Sequence, residues 1–428
     1  MYFCPIHLTL NLVRVFVIFL LFVSLLNDSF AQERPNHCGT TSYYQHQLAV
    51  NPELAKIRQE LEVATHEFVK ANRGADFKEV LVVPVVVHVI YYNATQNISD
   101  AQVLSQIEVL NEDYRRLNAD TTNTPALFKS VAADCQIQFC LAAQDPYGNW
   151  TNGITRTQTS KTSFDINTDE AKYTSTGGHD IWDRNKYLNI WVVPSIRDGS
   201  YTGILGYAQL PGGAASTDGV VIQYSNFGRV GTLSPYYDLG RTVTHEVGHW
   251  FNLYHVWGDD GTGCWGSDYV DDTPNQADEN YNCPSFPEPS CNNTSDMYSN
   301  YMDYTDDECM NIFTEGQKLR MWATINNYRS SLKTSPGCLV NSVPEVKPNL
   351  SLVNVFPNPA VSSLQFNFKE NFSGVISIYS IQGLLVGNYT INNSQDFVLN
   401  VNDWQSGFYI AIIRNSAYVE VKKIEILK

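Results

Sequence analysis

The stretch Thr242–Gly258, TVTHEVGHWFNLYHVWG, decides the fold of this chain. It contains His245, His249 and His255, with Glu246 directly after the first histidine. Residues four apart share one face of a helix, so His245 and His249 can bind one metal ion while Glu246 lies at the edge of that face. Three imidazoles with an open fourth position are typical of a catalytic zinc site rather than a closed structural one.

The helix has to end between the second and third histidines. On a continued helix, His255 would lie about 120° around the axis from His249. Helices often end at a residue in the left-handed conformation, usually glycine and sometimes asparagine, and Asn252 lies at the expected place. The full spacing should arise by chance in roughly 2 of 10,000 chains of this length. We therefore expect a zinc site, the alternative being a helix with solvated histidines.

This stretch also resembles a known family. The sequence HEVGHWFNLYH is similar to the zinc signature HExxHxxGxxH of the metzincin metallopeptidases, and in particular of their pappalysin branch. It departs at Asn252, where the family usually has glycine, at a cost of about 1 kcal/mol. The resemblance implies an α+β fold, a metzincin-type domain with a mixed twisted sheet, an active-site helix and an irregular lower subdomain.

Composition and the N-terminus indicate an exported globular protein. The chain has 428 residues, 43% of them hydrophobic, and its net charge of −16 argues against binding to nucleic acid or anionic membranes. Residues 1–31 are predicted to be a signal peptide, with an apolar run before a cleavage site at Ser29-Phe30-Ala31. No later stretch is long enough to span a membrane, so we expect a soluble mature protein.

Nine cysteines agree with an oxidising compartment. Their pairing does not follow from the sequence alone. The pappalysin resemblance implies the bonds Cys264–Cys291 and Cys283–Cys309. Cys338 is then left to pair with either Cys135 or Cys140, and this choice stays open.

Residues 32–72 are predicted to be a pro-segment. A thiolate is a good zinc ligand, so Cys38 can occupy the position that the attacking water needs. Pappalysin zymogens carry a similar Cys-Gly-Thr segment, which implies a latency switch; the alternative is a structural or idle cysteine. Asn72-Arg73-Gly74 is a polar, glycine-containing cut site. A helix between the cysteine and this cut site is predicted from the apolar spacing of Leu54, Ile57, Leu61 and Ala64.

The first part of the catalytic domain, predicted at 73–341, should alternate strands with one helix. Glu79–Tyr92 is an almost continuously apolar strand, in which Pro84 suggests an edge position for the first half and His88 is interpreted as a core residue. Ser99–Asn118 is predicted to be a helix that starts with a capping box formed by Ser99 and Gln102. Further strands are expected at Gln136–Leu141, Tyr187–Val193 and Val220–Tyr224. An edge strand can pair with an extended peptide substrate.

The segment Asp259–Cys309 has few apolar runs and needs other sources of stability. Two disulfides and calcium are expected to supply it. Four oxygen-bearing residues form a cluster that suits calcium: Asp268, Asp271, Asp272 and Thr273. The resemblance points to Asp268 and Thr273 as side-chain ligands, and the alternative is a solvated acidic loop.

The hexapeptide SNYMDY, Ser299–Tyr304, resembles the metzincin Met-turn. The resemblance implies that Met302 packs beneath the zinc and that Tyr304 hydrogen-bonds the developing oxyanion. Asp307 matches a position in the pocket for the residue after the scissile bond, where a buried carboxylate selects Arg or Lys. A helix at Phe313–Leu332 is expected to close the domain.

Residues 342–349 are predicted to be a linker, and residues 350–428 a small all-β sandwich. Val355-Phe356-Pro357-Asn358-Pro359, the turn IYSIQG, the sequence WQSGFYIA and a lysine-containing final strand together resemble the C-terminal sorting domain of the type IX secretion system. This resemblance implies secretion or attachment to the outer surface of a Gram-negative bacterium; a carbohydrate-binding module is the alternative. Strands are predicted at Leu364–Phe368, Val375–Tyr379, Phe397–Val401, Phe408–Ile413 and Val419–Ile426.

Together these features predict a monomeric zinc endopeptidase with structural calcium, which hydrolyses peptides or proteins and is exported by the type IX machinery. Glu246 is expected to take a proton from the attacking water and pass it to the leaving amine. Two alternatives remain: a metzincin that acts on glycoproteins or matrix, and a non-catalytic, zinc-stabilised surface adhesin. Chelator-sensitive cleavage N-terminal to Arg or Lys separates them.

Overall fold

The computed structural model describes residues 37–75, 77, 79–338, 353–380, 385–415 and 418–428. The predicted signal peptide and linker lie outside the described residues. The chain divides into two compact units, one with residues up to 142 and 153–335, the other with 143–152 and 336–428. No helix among the described residues is long and apolar enough to cross a membrane.

Nine strands lie in the described residues of the first unit. They are β1 (Leu81–Tyr91), β2 (Ile137–Leu141), β3 (Ile154–Gln158), β4 (Phe164–Asp165), β5 (Leu188–Val193), β6 (Ile196–Asp198), β7 (Tyr201–Ile204), β8 (Gly206–Ala208) and β9 (Val220–Gln223). The main sheet has the order β2-β1-β5-β9-β8, with β3 also paired to β1. All of its pairs are parallel except β8 with β9. Strands β4, β6 and β7 form a separate small sheet.

The position of strand β1 inside the main sheet accounts for its apolar sequence. It is paired on both edges and buried over most of its length, as expected of a strand covered on both faces. Pairing with β5 begins only at Val85, so Pro84 lies where that edge is still unpaired. His88 is fully buried, with its ring nitrogens 2.8 Å from Thr155 Oγ1 and 3.0 Å from Asn189 Oδ1.

Five α-helices occur in the described part of the chain: α1 (Thr40–Val50), α2 (Glu53–Asn72), α3 (Asp100–Tyr114), α4 (Arg241–Trp250) and α5 (Glu315–Asn327). The predicted capping box of α3 is only half formed. Ser99 accepts a hydrogen bond from the Gln102 amide, but the Gln102 side chain donates to the carbonyl oxygens of Tyr224 and Phe227. Gln102 therefore fixes a loop after β9 instead of the cap.

The prediction of an apolar face on α2 is wrong in part. Leu54 is buried, but Ile57 is 36% exposed, and the other buried residues of this helix are Arg58 and Thr65. The Arg58 guanidinium donates to Pro211 O and to Asn252 Oδ1, so the helix is held by polar contacts that a search for apolar periodicity misses.

The lower part of the first unit is irregular, as predicted. No helix or β-strand occurs in the fully described range 251–306. Disulfides join Cys264 to Cys291 and Cys283 to Cys309, with Cα–Cα distances of 5.5 and 5.7 Å. Cys135 has a buried free thiol, whereas Cys140 takes part in a disulfide bond.

The residues described in the second unit form five antiparallel strands: β10 (Val353–Phe356), β11 (Ser363–Ser380), β12 (Leu385–Asn400), β13 (Gly407–Asn415) and β14 (Tyr418–Ile426). The predicted strands Leu364–Phe368 and Val375–Tyr379 are two parts of β11. Register shifts between Asn367 and Gly374 interrupt its pairing with β12 without ending the strand. The α+β fold class, with a small β-sandwich at the C-terminus, is confirmed.

Candidate active site

Helix α4 brings the first two histidines into the core. All ten of its residues are buried, and Val243, Val247 and Trp250 anchor it in the main apolar cluster. Gly248 faces Met302 so closely that a Cβ atom there would lie 2.5 Å from the methionine sulfur. The fully buried Met302 thus packs directly against the helix that carries His245 and His249, and its position beneath the zinc stays a prediction.

The turn after α4 has the predicted form. Asn252 has a φ of 76°, in the left-handed region. Its amide donates to His249 O at 2.8 Å, and the Leu253 amide donates to Gly248 O at 3.0 Å, which is the Schellman pattern of helix termination. The chain therefore reverses at Asn252 and returns His255 to the other two rings.

The three imidazoles converge on one point. Their Nε2 atoms lie 3.1 Å apart for His245–His249 and for His249–His255, and 3.3 Å apart for His245–His255. Three nitrogens that each bind one zinc ion at its usual bond length and a tetrahedral angle are about 3.3 Å apart. The spacing therefore matches a shared metal ion.

Outer hydrogen bonds orient each ring. Each Nδ1 atom lies 2.7–2.8 Å from an oxygen atom. The partner of His245 is the Tyr301 carbonyl, that of His249 is the Leu253 carbonyl, and that of His255 is Asp259 Oδ1. These oxygens only accept hydrogen bonds, so Nδ1 carries the hydrogen and the Nε2 lone pairs face inward. Asp259 was not singled out from the sequence, although its position four residues after His255 was a usable signal.

The residues present fit a zinc ion. Burial, followed by the charge of neighbouring imidazoles, lowers the pKa of His245 and His249 well below its usual value, so both rings are neutral ligands. Neutral nitrogen donors with fixed tautomers and one open direction are what a catalytic zinc site requires.

Cys38 lies in the remaining direction. Its sulfur and the three Nε2 atoms are all within 4.8 Å of one another, and all four residues are buried. Burial next to Glu246 raises the pKa of the Cys38 thiol, so its thiolate needs a nearby cation. The residues beside it pair with β8: Gly39 N donates to Gly206 O at 2.8 Å, and Leu205 N donates to His37 O at 2.9 Å.

Glu246 is 1% exposed and faces the same segment. Its Oε2 atom accepts a hydrogen bond from Thr40 Oγ1 at 3.0 Å and contacts Cys38 Sγ at 3.5 Å. Burial raises the pKa of this carboxyl to about 8. Thr40 was noted in the sequence only as part of the Cys-Gly-Thr tripeptide. Its hydroxyl thus donates a hydrogen bond to the carboxylate that is predicted to be the base.

Tyr304 lies beside the metal ligands. Its ring centroid is 5.0 Å from that of His255 and 5.7 Å from that of His245, and its hydroxyl donates to Cys38 O at 3.4 Å. The neighbouring Asp303 is fully buried and fixes the turn by accepting hydrogen bonds from Gln276 and Asn280. The tyrosine hydroxyl therefore points toward the space that Cys38 fills.

A cavity adjoins the histidines on one side. Its lining residues include His37, Tyr237, His245, Asp307 and Met310. Asp307 is 1% exposed, and its Oδ2 atom accepts hydrogen bonds from the amides of Leu239 and Arg241 at 2.8 and 3.2 Å. Burial raises the pKa of Asp307 to about 7, so an ionised carboxylate here is favoured by a cation in the cavity.

Only part of the predicted oxygen-rich cluster comes together. Thr273 Oγ1 donates to Asp268 Oδ2 at 2.7 Å, and both residues are buried. Asp271 instead pairs with Arg73, and Asp272 accepts from the Gly316 amide at 2.9 Å. The four-residue grouping is therefore wrong for the exposed Asp271, whereas the Asp272 carboxylate lies near enough to Asp268 for its charge to raise the pKa of Asp268.

Comparisons with known proteins agree with this site. A family model described as Pregnancy-associated plasma protein-A matches residues 172–326, and one described as Secretion system C-terminal sorting domain matches residues 354–427. Over 249 residues the chain is 32% identical to an extracellular metalloprotease of Arthroderma benhamiae, covering 57% of this chain and 71% of that protein. Over 333 residues it is 30% identical to one of Pyricularia oryzae, covering 75% and 99%.

Two solved structures from Tannerella forsythia are also similar. One is mature mirolysin in complex with a cleaved peptide, 51% identical with a TM-score of 0.58, covering 60% of this chain and 97% of that one. The other is a promirolysin mutant, 44% identical with a TM-score of 0.62, covering 70% and 97%.

Fold and site together define a metalloendopeptidase, for which the family implies zinc. The chain belongs to the pappalysin family of metallopeptidases. Its type IX sorting domain points to secretion or to the cell surface in Bacteroidetes.

Proposed function

We propose that this chain is made as a zymogen and, once mature, cuts peptide bonds N-terminal to Arg or Lys. The observation that carries the specificity is the buried Asp307 carboxylate in the cavity beside the three histidines. A guanidinium or ammonium group entering that cavity adds a positive charge next to the carboxylate, beyond that of the nearby Arg241, whereas an apolar side chain adds none.

The catalytic roles follow from the groups around the cavity. When bound, zinc supplies a Lewis acid that lowers the pKa of water. Glu246, the residue next to the ligand His245 on the same helix, takes the proton of the attacking water and returns it to the leaving amine. The Tyr304 hydroxyl donates to the oxyanion that forms at the scissile carbonyl.

Latency is supported by what residues 37–40 contact. Cys38 fills the fourth direction of the metal site, Thr40 binds Glu246, and the segment lies along β8. We place the pro-segment at 32–72 after a signal peptide at 1–31, with the catalytic domain at 73–341, a linker at 342–349 and the sorting domain at 350–428. Arg73 is 70% exposed at the end of α2 and is itself a basic residue, which suits a cut by a second copy of the enzyme.

Calcium is proposed at Asp268. Its carboxylate is 5% exposed, and burial raises its pKa to about 7, so a bound cation would favour the ionised form. We expect calcium, added to EGTA-treated zinc-loaded protein, to raise the unfolding midpoint by about 3 to 5 °C. Asp268→Asn should remove that increment, and Asp271→Asn, which changes an exposed carboxylate, should keep it. Equal increments in both variants would contradict a site at Asp268.

The proposed specificity is tested with fluorogenic peptides that differ only at the residue after one bond. We expect the mature enzyme to cut before Arg and Lys on the order of 30-fold faster than before Leu, as judged by kcat/KM and mass spectrometry of the products. A zinc chelator should abolish all cleavage, and added zinc should restore it.

The Asp307→Asn variant provides the discriminating control. It keeps the size of the side chain and an oxygen that can accept from Leu239 and Arg241, but it removes the charge. The preference for Arg and Lys should then fall to within a few-fold of Leu. An unchanged profile would assign the preference to other residues and favour the alternative of glycoprotein or matrix specificity.

A further inference from the structure

A side chain of the proposed pro-segment, that of Tyr43, fills a socket on the proposed catalytic domain, separate from the cavity that contains Asp307. Tyr43, on α1, is 1% exposed and packs in an apolar cluster. Its ring centroid lies 5.0 Å from that of Tyr207 in an edge-to-face arrangement. Other apolar residues of the same cluster include Ile166, Ala171, Trp191, Ile196 and Ile204.

The base of this socket is polar and matches a phenol. The Tyr43 hydroxyl donates to Asp169 Oδ1 at 2.6 Å and accepts from Lys172 Nζ at 2.9 Å. The Lys172 side chain is fully buried, and its ammonium lies 4.4 Å from the Tyr43 ring centroid and 5.0 Å from that of Tyr207. A buried ammonium between two aromatic rings gains from each of them, and it needs an oxygen within reach.

Apart from Tyr43, every group of this socket lies after residue 72. When the pro-segment leaves, Asp169 remains paired with Lys172 at 2.8 Å, and the space of one phenol opens above that pair. Water can solvate the polar bottom of the socket, but its contact with the aromatic and aliphatic side walls is unfavourable. The socket is therefore shaped in advance for a side chain that is flat, apolar at its sides and polar at its tip.

The socket lies along the substrate cleft. A Cβ atom on Gly39 would be 3.2 Å from the Ile204 side chain and 3.4 Å from that of Tyr207, so the residue directly after Cys38 contacts two residues of the socket's apolar cluster. The residue directly before Cys38, His37, lines the cavity that contains Asp307. The residues before and after Cys38 therefore contact the Asp307 cavity and the Tyr43 socket, respectively.

We propose that in the mature enzyme this socket is a subsite for a tyrosine side chain located N-terminal to the scissile bond. The inference rests on the proposed function, because it takes the Asp307 cavity as the site for the residue after that bond. Lys172 and Asp169 then act as specificity-determining residues that read the phenol hydroxyl. The pro-segment uses the same interaction to cover the cleft before maturation.

The experiment uses the mature enzyme and peptides with a single Arg as the cleavage point. Each of the four positions before the scissile bond carries Tyr, Phe or Ala in turn. We expect kcat/KM at one of these positions to be about tenfold higher for Tyr than for Phe. In Lys172→Met, which keeps the length of the side chain, the Tyr-to-Phe ratio at that position should fall to near one. Lys129→Met, a lysine at a distant exposed position, should keep the tenfold ratio.

The outcomes separate the two proposals. No cleavage of any Arg peptide overturns the proposed function. Cleavage with no Tyr-over-Phe preference at any position, or a preference that survives in Lys172→Met, overturns the subsite alone. The wild-type ratios decide the question even when the variant does not fold. As a second measurement on wild-type enzyme, a synthetic 32–72 peptide with Tyr43→Phe should inhibit about tenfold less tightly than the natural sequence, and equal inhibition contradicts the socket.

Discussion

Replacing Glu246 with glutamine is expected to leave zinc binding intact and to lower kcat/KM by a factor on the order of 10³ to 10⁴. Glutamine has nearly the same size and can still accept a hydrogen bond at the position that Thr40 occupies in the zymogen. It cannot take a proton from water at neutral pH. The lost stabilisation of the transition state is about 4 to 5 kcal/mol. Zinc content by metal analysis and kcat/KM with an Arg peptide are the two measurements.

A matched variant separates chemistry from folding. Glu315→Gln makes the same chemical change at a side chain that is 51% exposed and only pairs with Lys318, so its activity should match that of the wild type. Turnover by Glu246→Gln within a few-fold of wild type, with zinc bound, would exclude this carboxylate as the base. Loss of zinc together with activity would assign Glu246 a structural role.

Processing offers a second readout of the same variant. If maturation is carried out by the enzyme itself, the Glu246→Gln chain should accumulate with its pro-segment attached. A trace of mature wild-type enzyme should then cut it, and N-terminal sequencing of the product would show whether the cut lies before Arg73. Processing of the variant without added enzyme would point to a different protease.

The metal site could be predicted because its ligands are close in sequence. His245, His249 and His255 fall within one helix and one turn, so helical periodicity and the left-handed tolerance of asparagine fix their relative positions. Local geometry of this kind depends on few other residues. The sheet around the site was predictable for a similar reason, since a strand covered on both faces has to be apolar throughout.

Contacts between distant segments could not be predicted in this way. Arg58 and Asn252 are 194 residues apart, yet the guanidinium lies 2.7 Å from the Asn252 side-chain oxygen. Glu62, one turn further along α2, accepts from Asn252 Nδ2 at 3.0 Å and from Arg320. Glycine at position 252 would offer neither group. The departure from the family signature therefore joins the proposed pro-segment to the turn that positions the third histidine.

The irregular segment Asp259–Cys309 also contains contacts that the sequence does not predict. Its composition correctly indicated disulfides, because a chain with few apolar residues needs covalent bonds for stability. Composition does not determine which carboxylates meet, however. Asp271 lies only three residues from Asp268 but is 82% exposed and pairs with Arg73, since backbone direction in a region without helices or strands follows no period that the sequence displays.

Replacing Cys38 with alanine is expected to weaken the pro-segment as an inhibitor on the order of 100-fold or more. Added in reducing buffer to the mature enzyme, a synthetic 32–72 peptide should inhibit through its sulfur at the metal site, its pairing with β8 and its contacts through Thr40 and Arg58. The alanine peptide keeps all of these contacts except that of the sulfur. A loss of about 3 kcal/mol in binding free energy therefore measures the sulfur contact. Inhibition constants from initial rates are the readout.

The remaining interactions make this test specific. Thr40→Ala removes a neutral hydroxyl from a buried carboxylate and should raise the inhibition constant about tenfold, less than the cysteine does. In the full-length chain, Cys38→Ala should shorten the lag before activity appears, whereas Cys135→Ala, at the other buried free thiol, should not change it. Equal inhibition by the alanine and natural peptides would mean that α1 and α2 hold the zymogen inactive by covering the cleft. The sulfur would then be dispensable, and latency would depend on the polar contacts of Arg58, Glu62 and Tyr43 instead of on the metal.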